Sequence, residues 1–259
     1  MSKGLEKLAE MDYPGRFIII GKDMNENGYN FVVYGLTGRS ASSQARTIEY
    51  DAKNKVFYTK PTDKETLSKG IQSLLLYPAI METEDGIAVS NGFQTNLVYT
   101  FMRNFQKIDM PTQILESALT EDFLVYDPNT KKPIDVTSYE PDEPNYTPRI
   151  SGCIKKGSGA LHIVKKEDGE SNKYLFPVEL KPGKGKLIAT YSGENKNPLP
   201  AFEGRPLDIE ILGKTPTEIA EAVYNALNPD FRVSVAVLMK PEREGESIYK
   251  IINRQEAKK

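Results

Sequence analysis

Short apolar runs, broken at close intervals by turn residues, restrict this chain to a fold built mainly from antiparallel strands. FIIIG (17–21) and NFVVYGLT (30–37) flank Asn-Glu-Asn-Gly (25–28), a hairpin sequence because Asn and Gly tolerate φ > 0. ARTIEYD (45–51) and VFYTK (56–60) form a second pair with period-two alternation. Further strands are expected at 78–83, 86–92, 150–156, 160–166, 173–180, 185–193, 231–240 and 247–254. Helical spacing appears in separate places. Residues 2–11 predict a short helix with Ser2 as cap and Leu5, Leu8 and Ala9 on one face. Residues 62–77 carry a Thr62/Glu65 capping box, an apolar stripe of Leu67, Ile71, Leu74 and Leu75, and Pro78 as a stop, so Tyr77 is expected at a helix end. Phe93 to Gln106 predicts a helix with Leu97, Val98, Phe101, Met102 and Phe105 on one face. Pro111 opens another through Leu119, and residues 215–227 hold a second capping box, Thr215 with Glu218. Helices grouped between runs of strands argue for an α+β chain rather than a βαβ repeat. No repeat or long linker interrupts the pattern, so one domain is expected over 1–259, with 1–12 as a helical extension.

Composition removes several classes of function. Lys+Arg 34 against Asp+Glu 36 leaves a formal net charge of -2 and no basic stripe, which disfavours nucleic acid as a partner. A few local arginines are still enough to bind a small anion. The single cysteine, Cys153, forbids an internal disulfide and fits a reducing compartment. The single histidine, His162, alternates with Leu161 and Ile163 and is expected to be a structural strand residue. No apolar run reaches the length of a membrane span, and MSKGLEKLAE lacks the apolar core of a signal peptide, so a cytoplasmic protein is expected. No metal-ligand spacing, Ser/His/Asp set or Cys/His pair is present, and no metal or cofactor is expected.

The stretch Ser138–Cys153, SYEPDEPNYTPRISGC, concentrates the remaining chemistry. Pro141, Pro144 and Pro148 each fix φ and remove a backbone donor, which excludes helix interior and central strand. Glu140, Glu143 and Thr147 precede those prolines and are pushed toward extended conformations. The segment is either a solvated acidic loop or a stiff arm that holds Glu140 and Arg149 at opposite ends of a pocket's occupant. In the second case Asp142 and Glu143 would raise the pKa of Glu140.

Two other segments have chemical content. TGRSASSQAR (37–46) places Arg39 and Arg46 around small hydroxyl and amide residues, which is either a polar loop or a phosphate site. VSNGFQTN (89–96) ends a strand, permits a φ > 0 turn at Asn91-Gly92 and opens a helix near Phe93. It is either a plain connection capped by Asn91 or a seat for an anion on backbone N–H groups. Phosphate-loop and dinucleotide glycine patterns are absent.

Taken together and in order, YPGR…VYGLTGRSASSQAR, YPAIMETEDGIAVSNGFQT and SYEPDEPNYTPRISG resemble the archaeal-type IMP cyclohydrolase family and its bacterial relatives, over roughly Tyr13 to Ile154. GKLIATYSG…NPLPAFEGRPL is similar to the longer bacterial members. The resemblance implies a four-layer αββα sandwich, mainly antiparallel, similar to the N-terminal-nucleophile hydrolases but without their nucleophile. It implies closure of 5-formamidoimidazole-4-carboxamide ribonucleotide (FAICAR) to inosine monophosphate (IMP), with loss of water, in purine synthesis. It places the catalytic arginine, tyrosine and glutamate at Arg46, Tyr77 and Glu140. Substrate contacts are implied at Arg39, Ser40, Asn91, Gly92, Gln94, Thr95, Asn145, Thr147 and Arg149. The arm DEPNYTPR carries one residue more than the shorter family pattern. The implied partner is a purine ribonucleotide, without nucleic acid or membrane, and a homo-oligomer is compatible with the sequence. Two other readings compete: an amide hydrolase of the related fold using Ser2 or Cys153, and a non-catalytic purine-nucleotide-binding protein.

Overall fold

The computed structural model describes residues 4–25, 28–63, 65, 71–211, 213–243 and 245–254. Two large sheets dominate it. One has six strands in the order β13 (Leu207–Glu210), β12 (Lys184–Ala189), β1 (Arg16–Lys22), β2 (Tyr29–Thr37), β14 (Arg232–Pro241) and β15 (Ile248–Asn253). The other has seven, in the order β11 (Glu170–Glu179), β10 (Ser158–Glu167), β9 (Arg149–Lys155), β6 (Gly86–Ser90), β5 (Tyr77–Glu82), β4 (Val56–Pro61) and β3 (Arg46–Asp51). Strand-to-strand ladders among the described residues are antiparallel, as the hairpin spacing predicts. The chain is thus a mixed α/β protein with mostly antiparallel sheets and few helices.

The core follows from alternation. On β6, Ile87 and Val89 join the central apolar cluster, while Ala88 faces the other way. On β9, Ile150 and Ile154 point inward and Cys153 outward. The outward set is covered by α4 (Gln94–Asn104) and α5 (Pro111–Leu119), whose Val98, Met102, Ile114 and Leu115 pack on Ala88, Cys153 and Ala160. Helix α6 (Pro216–Ala226) packs against β14 and β15, and its Ile219, Ala220 and Val223 belong to the central cluster. Its Thr215 side chain accepts from Glu218 N–H, with Glu218 returning the bond, so the predicted capping box is present. Strand β1 is buried along its whole length, which accounts for its unbroken FIII run. Phe17 stands opposite Gly35, and a Cβ there would lie 2.0 Å from the Phe17 ring.

Several expectations need correction. Of the helix expected over 62–77, Glu65 is helical and Gln72–Leu75 form a short α3, while residues 64 and 66–70 lie outside the described residues. Leu67 lies outside the described residues. Tyr77 is not at a helix end but opens β5, and Pro78 sits inside that strand beside a register irregularity at Phe57/Tyr58 of β4. A bulge spares a ladder hydrogen bond, which is how a proline fits there. The N-terminal helix is α1 (Glu6–Ala9), buried through Leu5 and Leu8; Ser2 lies outside the described residues. A helical turn, α2 (Ala41–Gln44), and a hairpin of β7 (Leu124–Tyr126) with β8 (Pro133–Asp135) were not signalled by periodicity. Phe105 is 51% exposed and stacks on Phe101 instead of completing the buried face.

His162 is a buried residue of β10, and its Nδ1 has no hydrogen-bond partner among the described residues. Burial, with Lys173 nearby, pulls its pKa from 6.5 down to about 4. The neutral imidazole is therefore favoured on folding, so its contribution is complete above 6.5 and is lost as pH falls toward 4. Urea denaturation should show the parent losing about 3 kcal/mol more than His162→Gln between neutral pH and pH ~3.5. Parallel pH profiles for the two proteins would refute this.

Candidate active site

A cavity of about 790 Å³ opens at one end of the two sheets, where β1 begins, β2 ends and β9 begins. Arg16, Arg46, Glu140, Asp142, Thr147 and Tyr191 contribute polar side chains to its wall, and Ile71, Leu74 and Leu75 give it an apolar side.

Arg16 is delivered by the Tyr13-Pro14-Gly15-Arg16 turn. Gly15 has φ 73, and a Cβ on it would lie 2.2 Å from Thr190 Oγ1, so only glycine fits. The turn is pinned on both sides. Arg16 N–H donates to Thr190 Oγ1 at 3.1 Å, and Thr37 N–H donates to the Gly15 carbonyl at 2.8 Å. Arg16 Nη2 then donates to Glu140 Oε2 at 3.0 Å, with both side chains almost wholly buried. On the other side of the carboxylate, Arg149 Nη1 stands 3.7 Å from Oε1. Arg149 also donates to Gln94 Oε1 at 3.4 Å, while its Nε and Nη2, and Glu140 Oε1, have no hydrogen-bond partner among the described residues.

Two guanidiniums around one carboxylate set the local electrostatics. Burial raises the Glu140 pKa, with Arg16 and then Arg149 opposing that rise and Asp142 adding to it. Burial works against the Arg16 charge, but Glu140, followed by Tyr77 and Tyr34, outweighs it and holds Arg16 well above its usual range. Arg149 is pulled below its usual range, chiefly by burial, because its contact with Glu140 is the longer one.

Arg46 is fixed differently. It begins β3, just after the Ser40-capped turn α2, and donates through Nε to the Ser43 carbonyl at 2.8 Å and through Nη2 to the Thr37 carbonyl at 3.0 Å. Two backbone acceptors orient the guanidinium plane. Among the described residues, no group of three or more His, Cys, Asp or Glu side chains is placed to hold a metal ion.

The model of the IMP cyclohydrolase-like protein family matches residues 13–244. The chain belongs to that family. A search of curated proteins finds no match. No helix among the described residues is long and apolar enough to cross a membrane.

Within this family, the sequence-predicted residues other than Tyr77 fall into three groups. Arg46, Glu140 and Thr147 line the cavity. A second group lies behind Arg149. Asn91 accepts from Ile150 N–H and from Gln94 Nε2, both at 2.9 Å, and donates to the Pro148 carbonyl; Thr95 donates to the Gly92 carbonyl. Gly92 does not take positive φ; a Cβ there would lie 2.5 Å from Arg149 Nη1, so the guanidinium occupies the space proposed for an anion. The third group is peripheral. Arg39 is exposed, donates to the Lys196 carbonyl at 2.7 Å and lies over the Tyr13 ring; Ser40 caps α2; Asn145 accepts from Leu199 N–H at 3.0 Å.

Tyr77 is 1% exposed, and its hydroxyl pairs with that of Tyr34 at 2.8 Å. It borders a second cavity of about 560 Å³ rather than the first. The arm is not stretched between two ends of an occupant. Glu140 N–H donates to the Thr147 carbonyl at 2.8 Å, folding the loop so that Glu140 and Arg149 meet. Glu143 is exposed, and the main cause that raises Glu140 is burial, with Asp142 adding to it. Cys153 is fully buried against Met102 Sδ, and burial pushes its thiol up, away from nucleophilic use. Sequence reasoning missed Arg16, Tyr34 and Tyr191; the one available signal was that each lies within a quoted family segment.

Removing Arg16 leaves a buried carboxylate with a single, more distant cation. Arg16→Met should cost about 3–5 kcal/mol, and adding Glu140→Gln should recover a large part of it. Urea denaturation of both single variants and the double variant tests this; additive losses would break the assignment of a coupled pair.

Proposed function

We propose that this chain is an IMP cyclohydrolase, closing FAICAR to IMP with loss of water in cytoplasmic purine synthesis. The observation that carries the reading is that Arg46 and buried Glu140, from two separate segments of the family match, line one cavity. The cavity's size suits one nucleotide. We also read the fold as a single-domain four-layer αββα sandwich similar to the N-terminal-nucleophile hydrolases. Helix α6 against one sheet and α4 and α5 against the other support that reading.

The chemistry asks for orientation, charge stabilisation and proton transfer. Substrate holds both reacting groups, so fixing the formamide against the carboxamide removes much of the entropic barrier, worth about 7–11 kcal/mol in well-oriented intramolecular reactions. The carboxamide nitrogen attacks the formyl carbon and loses a proton, an oxyanion develops on that carbon, and water then leaves. In this mechanism Arg46, held by two backbone carbonyls, stabilises the oxyanion with its remaining N–H groups. Glu140 moves a proton at the cavity wall; its raised pKa brings it closer to the range useful for that work. The family resemblance makes Tyr77 the second proton carrier; its hydroxyl pairs with that of Tyr34, beside the Arg16 guanidinium rather than on the main cavity's lining. Arg149 and the Asn91–Thr95 segment hold Glu140 from behind, and phosphate and ribose are left to the outer wall near Arg39 and Ser40.

Ring closure followed by product absorbance tests the assignment. Glu140→Gln and Tyr77→Phe should lower turnover about 10²–10⁴-fold, and Arg46→Ala about 10²–10³-fold. Near-parental rates in all three would sink it.

A further inference from the structure

Three short hydrogen bonds on the cavity wall fix the direction in which one hydroxyl points. Thr147 N–H donates to Asp142 Oδ1 at 2.6 Å, and Thr147 Oγ1 donates to Asp142 Oδ2 at 2.5 Å. The same Oγ1 lies 2.6 Å from the Tyr191 hydroxyl. A threonine hydroxyl has one proton, and a carboxylate only accepts. With that proton committed to Asp142, Thr147 Oγ1 must accept from Tyr191. The Tyr191 proton is therefore turned toward Thr147, and its oxygen keeps only lone pairs for the cavity. Tyr191 is 6% exposed and lines that cavity together with Thr147 and Asp142. Burial pushes the Tyr191 phenol up, with Arg16 opposing and Asp142 and Glu140 adding to the rise, so the proton stays on the hydroxyl.

We propose that Tyr191 selects the base of the bound nucleotide by accepting a hydrogen bond from an N–H group, with Thr147 and Asp142 as positioning residues that hold it in acceptor mode. The proposal rests on the reading of the cavity as a purine-ribonucleotide site. It adds a polarity rule to that reading. The carboxamide nitrogen of the open substrate and N1 of IMP are the same atom, and it carries hydrogen on both sides of the reaction. Adenosine monophosphate (AMP) has a bare lone pair at N1, which would face the tyrosine lone pairs without a proton between them.

The test is calorimetric binding of IMP and AMP to the full chain, the parent against Tyr191→Phe, Thr147→Val and Thr147→Ser. The parent should prefer IMP by at least about tenfold, the scale of one hydrogen bond left unmade. Thr147→Val frees the Tyr191 proton to turn toward AMP, and the preference should collapse about tenfold, while Thr147→Ser retains it. Tyr191→Phe should weaken IMP and also lose the preference. If Thr147→Val does not fold by near-ultraviolet circular dichroism, Tyr191→Phe decides alone. A parent that binds both nucleotides equally, or an IMP preference that survives both Thr147→Val and Tyr191→Phe, overturns the proposal and leaves the nucleotide site standing. A parent that binds neither nucleotide overturns both.

Discussion

The contact between Arg16 and Glu140 is the constraint on which the rest of the site depends. A carboxylate this deeply buried is tolerated only with a cation and hydrogen bonds close by. Arg16 comes from the first strand of the six-stranded sheet, and Arg149 from a central strand of the seven-stranded sheet. Glu140 stands between them, so the ion cluster can form only when the two sheets meet in one register at this end. The far end is tied in the same manner, by Lys240 of β14 and Glu82 of β5 at 2.7 Å. The apolar face between the sheets supplies the stabilisation that permits both charged ties.

The arm from Ser138 onward shows how prolines serve such a site. Each removes a backbone donor that would otherwise need a partner in a tight loop. Four of the donors that remain are used locally: Glu140 N–H on the Thr147 carbonyl, Thr147 N–H on Asp142, and Asn145 and Tyr146 N–H on the Asp142 carbonyl. The loop closes on itself before entering β9. That closure brings Glu140 back beside Arg149, the outcome opposite to a rigid extended arm. Restricted φ angles made the segment stiff, but they did not determine whether stiffness meant extension or a bracket.

Strands were legible because a buried sheet writes period two into every segment, as Ile87 to Val89 and Ile150 to Ile154 show. The end of the 62–77 stretch was misread because Leu74 and Leu75 satisfy a helical stripe while facing a cavity, and because Pro78 marks a bulge in β5 rather than a helix stop. Glu140 and Arg46 stand in polar loops that composition alone left open between surface and site, and it was the family resemblance that singled them out. It did not single out Arg16. Its neighbours Pro14 and Gly15 already explained the turn, and its partner Glu140 is far away in sequence. Gly92 was misjudged for a related reason: the sequence suggests backbone freedom, whereas the structure needs an absent Cβ beside Arg149.

What unites the cavity wall is that its polar groups are oriented by protein partners. Arg46 is aimed by two main-chain carbonyls, Glu140 by two guanidiniums, and Tyr191 by Thr147. Groups held this way need little reorganisation when charge shifts during a reaction, which is the source of most electrostatic rate enhancement. The same fixation denies these groups the freedom to adapt to a wrongly polarised occupant. Catalytic strength and selectivity at this site would then have one origin, the prior commitment of each donor and acceptor to the fold.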